Sequence, residues 1–419
     1  MEKLYLYTVA SVLNPKIGEY ARKVHSKLSP VFAEKGVKDK GLLLSPNDVI
    51  EGEGYSILLV ATGGTEVTTL KLYEMGDKPL VLVATGLANS LAAALESIAA
   101  LKSKGAMVEL LYYDDWSQVN VDEVFSKALE VKSFYEIRGT RIGIIGEPSP
   151  WLVASSVDHD KARKMLGVEF VKIPLEEVIE EYKATSLTKR DWRKIEELIE
   201  KSVSIEIPVK SLGEAYRLYL AIKEVIKRYN LDSITIQCFD LIRELDTTAC
   251  LALSLLNSEF FIAGCEGDEQ SVLSMLILSK LSGRPAWMAN PVKINFSRNE
   301  IMLAHCTAPI TAGVGYRFKT HFETGIGVGL DVVYEKGSTV TLARVNGDVE
   351  KILVAIGEIV ESGMEDPIHC RTQVWIRLHG NVKCLLNNMF GNHLAMVLGD
   401  VSGLIKRYAE LNGLKIVRV

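Results

Sequence analysis

The stretch FFIAGCEGDEQSVLSMLILSKLSG (260–283) decides how this chain is read. FFIAGC is a short apolar run of the kind that forms a buried strand. It ends in the acidic turn GCEGD (264–268), and DEQSVLSMLILSKLSG continues as an amphipathic helix. A strand passing through a turn into a helix is half of a β–α–β unit. Ligands of open α/β sheets collect at the carboxyl ends of strands, so Glu266 and Asp268 stand where chemistry is expected. A carboxylate there can bind a hard cation or move a proton. A plainer reading stays open: Asp268 as a helix N-cap, with Glu266 favoured by the helix dipole.

Outward from this stretch the same alternation recurs. RIGIIG (141–146) and SITIQ (233–237) read as buried strands, with helical stretches between and after them such as LEEVIEEYKA (175–184) and TTACLALSLLN (247–257). Glu176 to Lys201 is charged and reads as solvated helix faces. Nearer the start, YSILLVATGG (55–64), PLVLVATG (79–86) and MVELLYY (107–113) read as strands. NSLAAALESIAALKSKG (89–105) between them has helical spacing, Asn89 or Ser90 as N-cap and Gly105 as C-cap. Continuous apolar strands alternating with helices predict parallel sheets covered on both faces. From Arg284 to about Asn387 the pattern changes. EIMLAHC (300–306), GVGLDVVY (327–334), STVTLARV (338–345), EKILVAIGEIV (350–360) and TQVWIRL (372–378) follow one another without helices, which predicts an antiparallel sheet or barrel. VSGLIKRYAELNG (401–413) closes as a helix.

Composition agrees with a globular chain. Its 419 residues are 48% hydrophobic and 24% charged, enough for two or three domains at roughly 150 residues each. Lys and Arg number 48 against 53 Asp and Glu, so there is no basic footprint for nucleic acid or an anionic membrane. The apolar runs Ile57 to Ala61, Leu80 to Ala84 and Ile142 to Ile145 fall far short of the roughly 20 residues that span a bilayer. MEKLYLYTVASVLN has no secretory pattern, and Cys238, Cys250, Cys265, Cys306, Cys370 and Cys384 include no C-x-x-C pair. Both features lead us to expect a cytoplasmic protein with reduced thiols.

Other motifs are weaker. TGGTE (62–66) could cradle a phosphate or be a tight strand-to-helix turn, and it matches no nucleotide fingerprint. GIGVG (325–329) lies in a β-rich stretch and opens no helix. Of seven histidines, His305 and His393 have apolar flanks and are expected buried, while His321 lies two residues before Glu323. His25, His159, His369 and His379 are expected on the surface. A lone buried histidine is more often a hydrogen-bonded core residue than a ligand. A Glu with one or two His from separate strand ends would suit a cation such as Mn²⁺.

The ordered segments GGTE, NSLAAALE, RIGIIGEPSPWL, GCEGD, WMANP, LAHC, THFE, CRTQ and GNHLAMVLGD resemble the L-fucose isomerase-like proteins, distant relatives of the L-arabinose isomerases. The resemblance runs from about Leu58 to Asp400. It implies two Rossmann-like, doubly wound α/β domains followed by a β-rich, antiparallel barrel-like domain. The expected division is residues 1–138, 139–290 and 291–419, the last including the terminal helix. It further implies a homo-oligomer, trimer or hexamer, and aldose–ketose isomerisation of a small sugar through a cis-enediol with a divalent metal, usually Mn²⁺. Carried over residue by residue, the metal carboxylate falls on Glu266 and the late metal histidine on His393. The second metal carboxylate falls on Asn290, a departure: an amide oxygen can ligate but adds no charge and is no base. Asp268, Glu323 or Cys306 could supply what is missing, and His305 lies where arabinose-type enzymes add a histidine. The expected site is therefore Glu266 and Asp268 for proton transfer, Glu266, Asn290 and His393 for the metal, and Asn290, His305 and Arg371 against the sugar. Arg371 could anchor an anionic group or form a structural ion pair. Two other functions compete: altered chemistry on the same scaffold (epimerase, lyase or carbon–carbon bond enzyme), and non-catalytic sugar binding.

Overall fold

The computed structural model describes residues 4–11, 15–52 and 54–419. Parts of the MEKLYLYTVASVLN segment thus lie outside the described residues; its centre, β1 (Leu4–Val9), is a buried strand. By internal contacts the chain forms two compact units, residues 1–136 and 137–419.

In the first unit β1 joins β2 (Lys38–Leu43), β3 (Gly54–Val60), β4 (Asp77–Thr85) and β5 (Glu109–Tyr113) in a parallel sheet of order β2-β1-β3-β4-β5. Its inner strands are apolar along their length because helices cover both faces. Leu58, Val60, Leu82 and Ala84 meet Ala93, Ala94 and Leu101 of the helix Ser90–Ser103 in its core. TGGTE is the turn between β3 and the helix Glu66–Glu74.

The second unit begins with another parallel sheet. It contains β6 (Arg141–Ile145), β7 (Glu169–Ile173) and, beyond the two-residue β8 (Ser204–Ile205), β9 (Ser233–Ile236) and β10 (Ile262–Cys265), in the order β10-β9-β6-β7. There follow β11 (Trp287–Asn295), β12 (Glu300–His305), β13 (Gly315–Lys319), β14 (Gly329–Val333), β15 (Thr339–Val345), β16 (Lys351–Ser362), β17 (Thr372–Leu378), β18 (Leu394–Leu398) and β19 (Lys415–Arg418). Six of them close an antiparallel barrel, β15-β18-β11-β12-β17-β16, sealed by pairing of β15 with β16. β19 adds to β16 in parallel, and β8, β13 and β14 make a small separate sheet. The α/β-plus-barrel architecture read from the strand pattern is the one observed.

One helix locks the central sheet to the barrel. Glu269–Ser282 is buried on nearly all sides because it packs on β10 behind and on β15 and β18 in front. That is why its apolar residues encircle it instead of forming one stripe. Asp268 caps it, accepting a hydrogen bond from Ser271 N at 2.7 Å, as the plainer reading had it. Three of the four histidines expected on the surface are half-buried: His25, His159 and His369. Each sits beside an acid, and His159 also stacks on Phe170; His379 is exposed.

The turn that leaves β10 has an unusual backbone. Glu266 has φ +62° and Gly267 φ +71°, both left-handed. Ser149 N donates to the Glu266 carbonyl at 2.8 Å, and Gly267 N to Ile236 O at 3.1 Å. A Cβ on Gly267 would lie 2.7 Å from Pro148 Cα. Gly267→Ala therefore adds both backbone strain and a clash with main chain. We expect it to cost about 1–3 kcal/mol, read as a lower urea midpoint at unchanged m-value.

Candidate metal centre

The barrel's stagger brings two histidines together. β11 lies between β12 and β18, pairing Asn290 with Ala304 on one side and Ala289 with Leu394 on the other. β12 therefore ends, and β18 begins, at the middle of β11. His305 is the last residue of β12 and His393 immediately precedes β18. Their rings stand 5.4 Å apart, each at the end of a strand that flanks β11.

Glu266 reaches the same point from the left-handed turn after β10. Its Oε1 lies 3.5 Å from His393 Nε2 and 3.6 Å from His305 Nε2. All three residues are buried, and one ligand atom from each lies within 4.8 Å of the others. At those distances the groups attract, but the contacts are too long for good hydrogen bonds. His393 Nε2 is buried with no hydrogen-bond partner among the described residues. A buried nitrogen without a partner is costly unless something binds it. The ligand atoms of a first-row cation bound at about 2.0–2.2 Å stand roughly 3 Å apart, so a small contraction would suffice. One carboxylate and two imidazoles are a donor set for such ions and leave coordination positions open for a ligand. The residues present thus fit a divalent cation.

Each ligand is oriented from behind. His393 Nδ1 contacts Asp268 Oδ2 at 2.9 Å, and His305 Nδ1 contacts Thr307 Oγ1 at 3.0 Å, which turns both Nε2 atoms toward Glu266. Trp151 Nε1 donates to Glu266 Oε2 at 2.7 Å, leaving Oε1 to face the histidines. Asp268 is in turn held by Arg344, whose Nη1 lies 3.2 Å from Oδ2; both side chains are fully buried. Arg344 also donates to the His393 carbonyl, Ser271 Oγ and Gln270 Oε1. A Cβ on Gly391 would meet Arg344 Nη2, so the glycine of the GNH segment makes room for this arginine.

These contacts set the charges. Burial pushes the Glu266 carboxyl up, but the His305 and His393 imidazoles prevail and hold it well below the usual range. Burial likewise opposes ionisation of Asp268, yet Arg344 and His393 bring it down to about 2. Burial pushes His393 down, and Asp268 and Glu266 more than offset this, raising it to about 9. A cation at this site would displace the proton that the imidazole otherwise carries at neutral pH.

The other expected residues lie at varied distances from the cluster. Asn290 is half-buried and its Oδ1 accepts from Asn392 Nδ2 at 3.1 Å. His305, expected against the sugar, stands with Glu266 and His393. Asp268, expected at the proton transfer, has its carboxylate taken up by Arg344, Ser271 N and His393. Arg371 donates to the Thr320 carbonyl at 2.7 Å and hydroxyl at 3.1 Å, and no carboxylate pairs with it among the described residues. Sequence reading missed Arg344, Trp151 and Thr307. An arginine inside the apolar strand STVTLARV was a signal for the first, and a tryptophan just past a strand's carboxyl end for the second.

No family model matches the chain. It is 27% identical over 304 residues to a sulfoquinovose isomerase of Alkalicoccus urumqiensis, covering 68% of this chain and 66% of that protein. Likeness to the proteins of that name from Priestia aryabhattai and Clostridium sp. (strain MSTE9) is 26% over 298 residues and 22% over 302. These matches cover 68% of the chain in each case, and 64% and 66% of the relatives. The matched stretch thus spans about two thirds of the relatives' length. No helix among the described residues is long and apolar enough to cross a membrane.

Asp268→Asn removes the hydrogen-bonded carboxylate that raises His393. In metal-free protein the imidazole should then titrate well below about 9, as followed by NMR of the ring nitrogens. An unmoved midpoint would show that Asp268 does not set its charge.

Proposed function

We propose that this chain is a metal-dependent aldose–ketose isomerase acting on a small sugar through a cis-enediol. The observation that carries this reading is the buried Glu266–His305–His393 cluster, in which His393 Nε2 has no hydrogen-bond partner among the described residues. The sugar isomerase names of the relatives support it. Glu266, His305 and His393 would hold the ion, and Asn290, on β11 between the strands that end at the two histidines, would offer a neutral oxygen. When bound, a divalent cation such as Mn²⁺ supplies a Lewis acid and a template for two adjacent sugar oxygens. Asp268, through its contact with His393 Nδ1, serves as a positioning residue. Trp151 is half-exposed and its indole N–H is held by Glu266, so its ring is free to stack on a C–H face of the sugar.

The relatives' names point to a sulfonated sugar, and Arg371 offers the matching chemistry. Thr320 takes one edge of its guanidinium and leaves other donors for an anionic group. Its stem lies beside Cys306, the residue after His305: a Cβ on Gly329 would meet Arg371 Cγ at 3.3 Å and Cys306 Sγ at 3.5 Å. The substrate proposed is therefore an aldose carrying an anionic tail at the end remote from C1.

Glu266→Gln should abolish stabilisation of the fold by Mn²⁺ and lower kcat/KM by about 10²–10⁴-fold. Thermal melting with and without the ion, beside turnover of sulfoquinovose and of uncharged aldoses, tests both points. Wild-type protein that neither gains melting temperature with divalent ions nor isomerises any aldose would sink the reading. Arg371→Met should raise KM for the sulfonated sugar about 10–100-fold, equivalent to roughly 1.4–2.8 kcal/mol, and leave kcat with an uncharged aldose unchanged.

A further inference from the structure

The KTHFE segment (319–323) leads from β13 into the loop before β14. His321 Nε2 stands 3.1 Å from Glu323 Oε2, and its Nδ1 is 3.1 Å from Thr324 Oγ1. The loop closes on itself through His321 N to Ile326 O and Gly325 N to His321 O, both 2.9 Å. The imidazole is buried, whereas the Glu323 side chain is 46% exposed. A fixed imidazole therefore holds a carboxylate that faces open space.

Two independent sets of contacts connect this pair to the candidate metal centre. A Cβ on Gly329 would meet Thr320 O at 3.1 Å and Cys306 Sγ at 3.5 Å, so the neighbours of His321 and His305 lie side by side. Leu330 N donates to Cys306 O at 3.1 Å across the same junction. On the other side, Phe239 packs edge-on against His321 at 5.8 Å and against Trp151 at 4.8 Å, and Trp151 is bonded to Glu266. The pair and the cluster are thus linked through shared neighbours on two sides.

The chemistry of a cis-enediol leaves a task that the cluster does not fill. One proton must leave C2 and arrive at C1. Asn290 is no base, Asp268 is enclosed by Arg344 and His393, and Glu266 is assigned to the ion. We propose that Glu323, held by His321, is the acid–base group that carries this proton. The inference rests on the isomerase reading above. The Glu323 carboxylate takes the C2 proton; the C2–H electron pair becomes the C1=C2 bond of the enediol, and the C1 carbonyl pair moves onto O1. As C2=O forms, the O2 proton passes to O1 and the Glu323 carboxyl returns its proton to C1. Atoms and electrons balance with no external oxidant. Burial raises the Glu323 carboxyl against the pull of His321, toward the range where a carboxyl both takes and gives a proton.

The test compares wild-type, Glu323→Gln and Glu323→Asp chains, using Mn²⁺ and sulfoquinovose deuterated at C2. Glu323→Gln should bind Mn²⁺ within about threefold of wild type by calorimetry, yet lose turnover and washout of the C2 deuterium by about 10²–10⁴-fold. Glu323→Asp should recover part of both. Glu323→Gln that turns over within about threefold of wild type overturns the assignment and leaves the isomerase reading standing. Wild-type protein that binds no Mn²⁺ and exchanges no deuterium overturns that reading and this assignment together.

Discussion

The organisation of the second unit depends on one buried carboxylate. Asp268 is fully enclosed and meets Arg344 of β15, the N–H of Ser271 at the head of a helix, and the imidazole of His393 before β18. A buried charge is tolerable only when every lone pair finds a donor, and removing one partner strands the rest. The network therefore works as a register device. It joins the head of the helix, β15 and the residue before β18 at one point, the carboxylate that orients a candidate ligand.

That constraint explains why the acidic turn serves two readings at once. Asp268 is the helix cap that a plain reading of GCEGD expects, and the same carboxylate turns the His393 imidazole toward Glu266. Glu266 faces His305 and His393 because the left-handed backbone at 266 and 267 turns the chain sharply, which Gly267 permits against Pro148. Local backbone geometry, helix capping and electrostatics thus converge on a few residues, and a change to any of them would be felt by the others.

The fold was largely legible in the residues. Apolar strands alternating with helices could only be parallel sheets buried on both faces, and successive strands without helices pointed to the barrel. Glu266 and His393 were legible too, the first from its place at a strand end and both from ordered resemblance. Arg344 was not, because in STVTLARV it reads as one charge on a strand that could face solvent. The nearness of His305 to Glu266 and His393 was only partly legible, since a histidine ending an apolar strand reads equally as a core residue. His25 and His159 lie deeper than expected because polar flanks do not reveal a ring or carboxylate arriving from a distant segment.

By itself the sequence determined which segments become strands and helices, where acids fall at strand ends, and that the chain changes architecture near Arg284. These depend on near neighbours, through periodicity and turn chemistry. Only the tertiary structure decided that Asp268 and His393, 125 positions apart, touch, and that histidines from the end of β12 and the start of β18 meet. Barrel closure and strand stagger set those distances. They arise from hydrogen-bond register between strands remote in the chain, which no local pattern encodes.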